Sequence, residues 1–278
     1  MKVYISSDME GTAGVVVWEQ VLASADFERF RRMMTQEINA AVEGALAAGA
    51  ESVVVNDSHG PMTNIVIEDL HPEAELISGV NKTLLQVEGI GDGFDALFFT
   101  GYHQREGGGD GVLNHTLLGN TIYEIRVNGD PVDEAALNAG VAGAYGVPVA
   151  LVSGDHTVCA DAERRFPGVI TAPTKQAIDR YAARSLSCQK ARTLIREQAQ
   201  AAVEAVRSGM VKPYVFETPV TIEVDFKTTS SAHMTSLIPG VNRISPRAIA
   251  ITGDDYLTAF RTLVVAALFG SHTSQGKL

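Results

Sequence analysis

Four short apolar runs recur along the chain, and helix-like segments separate them. The runs lie at residues 3–5, 53–55, 94–103 and 147–156, and the second consists of three consecutive valines. A run of this kind indicates a strand that is buried on both faces, as in parallel sheets. Because strands that alternate with helices favour parallel pairing, the sequence predicts an α/β fold with a mostly parallel sheet flanked by helices.

The segments between and after these runs carry further signals of local structure. Apolar residues at helical spacing predict helices over residues 26–49, 133–145 and 187–208. The dipeptide Asn128-Gly129 lies between two extended stretches. That pair is a strong signal for a β-hairpin, because both of its residues readily adopt positive φ.

The character of the sequence changes near residue 213. Beyond this point the stretch "PVTIEVDF" alternates between apolar and polar residues, and "DYLTAFRTLVVAALF" predicts a closing helix. The sequence therefore predicts two domains. An α/β domain spans residues 1–212, and a smaller α+β domain or arm spans residues 213–278.

Acidic and imidazole side chains stand at the end of each apolar run. The carboxyl ends of neighbouring parallel strands meet at one edge of a sheet, where α/β folds bind their ligands. A mixed set of carboxylates and imidazoles without thiolates suits Zn, Mn, Co or Fe(II). The set exceeds what one ion needs and therefore predicts two metal ions roughly 3.5 to 4 Å apart. Its members are Asp8 and Glu10, Asp57 and His59, His103, and Asp155 and His156.

The spacing of Asp8 and Glu10 supports a cation between them. If the first strand continues through both residues, its two-residue period places both carboxylates on the same side. Two neighbouring carboxylates raise each other's cost of ionisation unless a positive charge lies between them. Their spacing thus predicts a shared cation.

Each of these residues also has a purely structural explanation. Asp8 can cap the turn that follows it, and Asp57 can form an Asx-turn with the next two residues. A single histidine at a strand end is commonly a hydrogen-bonded structural residue. Only the joint occurrence of these groups at one edge favours a site, and the histidines away from the strand ends are interpreted as structural: His71, His233 and His272.

Composition narrows the classes of partner. The chain has 278 residues, a formal net charge of -11 and a pI near 5.1, which argues against a nucleic-acid partner. No apolar run reaches the roughly 20 residues that span a bilayer, and the N-terminus enters a strand without a signal-peptide pattern. Cys159 and Cys188 are too few for a disulfide framework and are predicted to be buried thiols. We therefore expect a cytoplasmic protein with no membrane partner.

Five motifs carry a resemblance to a known family. The stretches "SSDMEG", "NDSHG", "GYH", "NHT" and "VDEAALNA" occur in this order and resemble the zinc-dependent D-aminopeptidase family encoded in bacterial dipeptide-transport operons. The resemblance implies two zinc ions, with manganese or cobalt as alternatives. It also implies a catalytic histidine, which matches His115 here, and metal ligands that match Asp8, Glu10, His59, His103 and Glu134.

The activity that this resemblance implies is removal of the N-terminal residue from short peptides that contain D-amino acids. The family's ring-shaped assemblies imply a homo-oligomer, with a decamer as one form. The resemblance thus makes residues 1–212 the metal-binding catalytic domain and residues 213–278 an expected oligomerisation arm. The residues alone leave two alternatives open. One is another binuclear metal hydrolase, a phosphoesterase or amidohydrolase, although only Arg105 lies close in sequence to a proposed ligand. The other is a non-catalytic peptide-binding protein. The stereochemistry, length and side chains of the substrate, the native metal and the number of subunits stay open.

Overall fold

The computed structural model describes residues 1–274, which form twelve β-strands and six α-helices. The strands are β1 (Lys2–Ser7), β2 (Ser52–Asp57), β3 (Ala74–Ile77), β4 (Ala96–Tyr102), β5 (Ile122–Val127), β6 (Asp130–Pro131), β7 (Val149–Asp155), β8 (Ile170–Asp179), β9 (Ala182–Ser185), β10 (Val220–Phe226), β11 (Val241–Arg243) and β12 (Ala248–Gly253). The helices are α1 (Phe27–Ala47), α2 (Glu134–Ala144), α3 (His156–Arg165), α4 (Cys188–Arg207), α5 (Thr229–Thr235) and α6 (Tyr256–Ser274).

Seven strands form the first sheet, in the order β3-β2-β1-β4-β7-β8-β9. All neighbouring pairs in it are parallel except β8 with β9. On β1, Val3 and Ile5 face the core formed with α1 and α4, whereas Tyr4 faces the core shared with α2 and α6. Since the sheet is buried on both faces, the predicted mostly parallel α/β architecture is confirmed.

The second sheet is antiparallel, with the strand order β11-β12-β10-β5-β6. The predicted hairpin joins β5 to β6, and its turn residues Asn128 and Gly129 have φ values of 51° and 88°. The hairpin pairs with β10, so this sheet takes strands from both sides of residue 212. The division of the chain at residue 212 stays a prediction. No helix within residues 1–274 is both long and apolar enough to cross a bilayer.

Two local predictions are wrong. Strand β1 ends at Ser7, so Asp8 and Glu10 lie in the turn that follows it and not on one face of a strand. Cys188 is exposed, whereas Cys159 is buried as expected. Cys188 is the first residue of α4, directly after the N-cap residue Ser187, and this helix end faces solvent.

The turn after β1 packs directly on the end of β4 through backbone atoms. The amide of Asp8 donates to the carbonyl oxygen of Thr100 at 2.8 Å, and the amide of Gly11 donates to that of Gly101 at 2.7 Å. A Cβ atom on Gly101 would lie 2.2 Å from the carbonyl oxygen of Asp8, and the φ of this glycine is 69°. The contact therefore requires glycine both for its backbone conformation and for the lack of a side chain.

We predict that Gly101→Ala destabilises the protein far more than Gly93→Ala. Both glycines have positive φ, but a Cβ on Gly93 would meet nothing within 4 Å. Gly93→Ala should lower the free energy of unfolding by about 1–2 kcal/mol, the cost of a left-handed alanine. Gly101→Ala should cost roughly 2 kcal/mol more, because the clash displaces the turn. Denaturant unfolding measures both, and equal losses would show that this contact is not tight.

Candidate metal centre

Six acidic and imidazole side chains converge at the carboxyl edge of the first sheet, and all six are buried. Two follow β1, one follows β2 and one follows β4. A fifth opens α2, and the sixth lies in the loop between β4 and β5. In that order they are Asp8 and Glu10, His59, His103, Glu134, and His115. All six residues that the family resemblance assigns to the metals or to catalysis therefore lie in one cluster.

The cluster contains two groups of three residues that share Asp8. In the first, Nδ1 of His59 lies 3.1 Å from Oδ1 of Asp8 and 3.0 Å from Oε2 of Glu10. In the second, Nε2 of His103 lies 3.5 Å from Oδ2 of Asp8 and 3.5 Å from Oε1 of Glu134. Asp8 therefore directs one oxygen into each group, which is the arrangement of a carboxylate that bridges two cations.

Backbone carbonyls fix the orientation of each histidine. Nε2 of His59 lies 2.7 Å from the carbonyl oxygen of Val21, and Nδ1 of His103 lies 3.0 Å from that of Gln104. A carbonyl oxygen only accepts, so the ring nitrogen next to it donates its proton. In the neutral ring the other nitrogen then faces the carboxylates with its lone pair. Nε2 of His103 is buried and has no hydrogen-bond partner among residues 1–274. A divalent cation would satisfy it, so these residues fit a metal.

The charged groups of the cluster shift the pKa values of one another's side chains. Burial favours the neutral carboxyl of Asp8, but the neighbouring imidazoles of His103 and His59 outweigh it and lower the pKa of Asp8. Burial opposes a charge on His103, yet Glu134, Asp8 and Glu10 raise its pKa to about 10. The site therefore attracts positive charge strongly, and a metal that binds here displaces protons from the imidazoles.

Glu134 is held by its neighbours in a defined position. Asp133 caps α2 by accepting from the amide of Ala136 at 2.8 Å, which fixes the helix start. Oε1 of Glu134 accepts from the amide of Leu117 at 2.7 Å, and Oε2 accepts from the side-chain amide of Gln86. Glu134 does not follow a strand of the first sheet, because it opens a helix at the mouth of the same cleft.

Three other polar residues at strand ends have structural roles. Asp57 accepts from the amides of Asn64 and Ile65 and so shapes the loop that carries His59. Asp155 caps α3 and accepts from the amide of Val112 at 2.7 Å. Nδ1 of His156 accepts from the amide of Ala177 at 3.1 Å. The three residues are therefore occupied by backbone groups rather than by the cluster.

Lys175 is a buried residue near the site that is not predicted from the sequence. Its Nζ donates to the carbonyl oxygens of Glu10, Thr12 and Val15 at 2.5, 2.9 and 2.7 Å, so it holds the turn that carries two of the acids. Burial lowers its pKa to about 8. The only signal in the sequence is a lysine within a strand-like stretch, and such a residue is ordinarily exposed.

The cluster opens into a cavity of about 390 Å³. Trp18, Leu22, Leu117 and Leu118 form apolar walls, and His115 lies between these walls and the acids. The His115 ring stacks on His103 with centroids 4.2 Å apart and meets the edge of Trp18 at 5.3 Å. The cavity therefore offers a ligand both polar groups at the cluster and apolar surface around it.

Known proteins share both the sequence and the fold. A family model described as D-aminopeptidase matches residues 1–265. A D-aminopeptidase of Bacillus subtilis (strain 168) is 36% identical over 276 residues, covering 99% of each protein. The solved structure of the Zn-dependent D-aminopeptidase DppA from Bacillus subtilis, a self-compartmentalizing protease, matches with a TM-score of 0.94, 36% identity and 99% coverage of both chains. These matches confirm the resemblance carried by the five motifs, and the chain belongs to the D-aminopeptidase family.

Proposed function

We propose that this protein is a zinc-dependent aminopeptidase that releases the N-terminal D-amino acid from short peptides. The observation that carries the proposal is the pair of buried ligand groups that share Asp8. Hydrolysis of an amide at neutral pH needs an activated water and stabilisation of the oxyanion, and two adjacent metal ions serve both needs. The family match and the Zn-dependent structural relative support zinc and a D-residue at the N-terminus.

One zinc ion would be held by Asp8, Glu10 and His59, and the other by Asp8, His103 and Glu134. Bound zinc supplies Lewis acidity, which lowers the pKa of water and polarises a carbonyl group. The protein's own part is to hold these ligands before the ion arrives. The backbone bonds to the two histidines and the support of Glu134 fix the ligand directions, as in other metal sites with ordered surroundings.

His115 would carry protons during hydrolysis. Its Nδ1 lies 2.9 Å from the carbonyl oxygen of Leu113, so Nδ1 donates and Nε2 stays available toward the cavity. Nε2 lies 3.9 Å from Oε1 of Glu134, farther than Nε2 of His103. The ligand atoms of His115, Glu10 and His103 also lie within 4.8 Å of one another, so these three residues could hold an ion together. We assign it to proton transfer, because the two groups that share Asp8 are complete without it. It would accept a proton from the attacking water and donate one to the leaving amine.

The assembly and the location of the protein are part of the same proposal. The structural relative is described as self-compartmentalizing. In this chain the apolar residues Val265 and Leu268 of α6 are 53% and 56% exposed to solvent. We infer a homo-oligomer whose contacts include this helix. The exposed, unpaired thiol of Cys188 fits a reducing compartment and supports a cytoplasmic location.

We predict that the purified protein hydrolyses D-alanylglycine and does not hydrolyse p-nitrophenyl phosphate. Removal of metal with a chelator should abolish the activity, and added zinc should restore it. The assay measures release of free D-alanine, with L-alanylglycine as the stereochemical control. Phosphate ester cleavage without peptide cleavage would favour the phosphoesterase alternative. Binding of the dipeptide without turnover by the zinc-loaded protein would favour a peptide-binding protein.

We predict that His115→Ala lowers kcat at least 100-fold, a typical contribution of general acid–base catalysis, while the zinc content per chain is unchanged. His233→Ala is a matched control, because His233 is an exposed residue of α5 far along the chain from the cluster. Steady-state kinetics and metal analysis measure the two effects. If His115→Ala loses zinc in proportion to its activity, His115 is a metal ligand and the proton-transfer role is wrong.

A further inference from the structure

The charges that line the cavity are distributed unevenly. Three carboxylates lie at the metal end, from Asp8, Glu10 and Glu134. Arg180 is the only lysine or arginine among the described residues that line the cavity. A substrate in this cavity therefore meets three acidic side chains and a single guanidinium.

Arg180 is fixed next to the catalytic histidine. It lies in the turn between β8 and β9, and its carbonyl oxygen accepts from the amide of Leu113 at 2.9 Å. The carbonyl oxygen of Leu113 in turn accepts from Nδ1 of His115 at 2.9 Å. Two hydrogen bonds through one intervening residue thus connect the backbone of Arg180 with the His115 ring. Both residues line the same cavity.

The guanidinium of Arg180 has donors that the protein does not use. Its Nε is buried and has no hydrogen-bond partner within residues 1–274. Nη1 lies 3.4 Å from Oε1 of Glu106, and Oε2 of that carboxylate also pairs with Lys227 at 3.1 Å. A buried donor without an acceptor costs about 1–3 kcal/mol. The guanidinium therefore retains donor capacity for an acceptor that a ligand brings.

We propose that Arg180 binds the terminal carboxylate of the peptide substrate. The inference rests on the proposed function, and it specifies the substrate class as short peptides whose free C-terminus lies inside the cavity. A planar guanidinium matches a carboxylate by forming two parallel N–H···O bonds. A volume of about 390 Å³ holds a small peptide, so a substrate with its scissile bond at the metal ligands can place its C-terminus within the same cavity. Peptides with a blocked C-terminus lose this interaction.

The test compares D-alanylglycine with D-alanylglycinamide, which have the same scissile bond and differ in the terminal charge. The wild-type protein should favour the free acid. Arg180→Ala should lower kcat/KM for the free acid about 10- to 100-fold, the range expected for hydrogen bonds to a charged group, mainly through KM. It should change kcat/KM for the amide less than about threefold. Arg180→Lys retains the charge and should recover part of the preference.

Arg105→Ala is the matched control, because Arg105 pairs with Glu124 at 3.5 Å and does not line the cavity. It should leave the ratio of acid to amide hydrolysis unchanged, and all variants should keep the zinc content of the wild type. If Arg180→Ala does not fold, Arg180→Gln serves the same comparison. An acid-to-amide ratio that is equal in the wild type and the Arg180 variants overturns this inference alone. If the wild type hydrolyses neither the free acid nor the amide, the proposed function is overturned.

Discussion

Three carboxylates crowded at one edge of the sheet impose the main physical constraint on this protein. Asp8, Glu10 and Glu134 are each buried, and their charges act on the same small volume. Such a group is unfavourable unless positive charge compensates it. The imidazoles of His59 and His103 supply lone pairs directed at the same points. The cluster is therefore consistent with bound divalent cations.

The fold is adapted to hold these acids in place without the ions. The turn after β1 is fastened from two sides, by the backbone of Gly101 on β4 and by the ammonium of Lys175 on β8. The loop after β2 is shaped by Asp57, and the start of α2 by its cap residue. Ligands that are fixed in advance lose little freedom when an ion binds, which favours tight and specific coordination.

The sequence predicts the framework of this site better than its details. Apolar runs identify the central strands, because a strand buried on both faces needs such residues. They also locate His59 and His103, since His103 follows β4 directly and His59 follows β2 after one residue. The exact end of β1 depends on backbone contact with β4 and carries no local signal. The roles of Lys175 and Arg180 are not predicted from the sequence for a related reason, because the residues near them in the fold are far away in the chain. The assignment of Glu134 came from the family resemblance alone.

The central claim is that two cations share Asp8, and zinc counting by mass spectrometry on purified variants tests it most directly. The account predicts two zinc ions per chain in the wild type. It predicts one ion in His59→Ala, which disrupts the first group, and one in Glu134→Gln, which disrupts the second. Asp8→Ala should retain none. Two ions in Asp8→Ala, or a single ion in the wild type, would contradict the shared carboxylate on which the proposed hydrolysis depends.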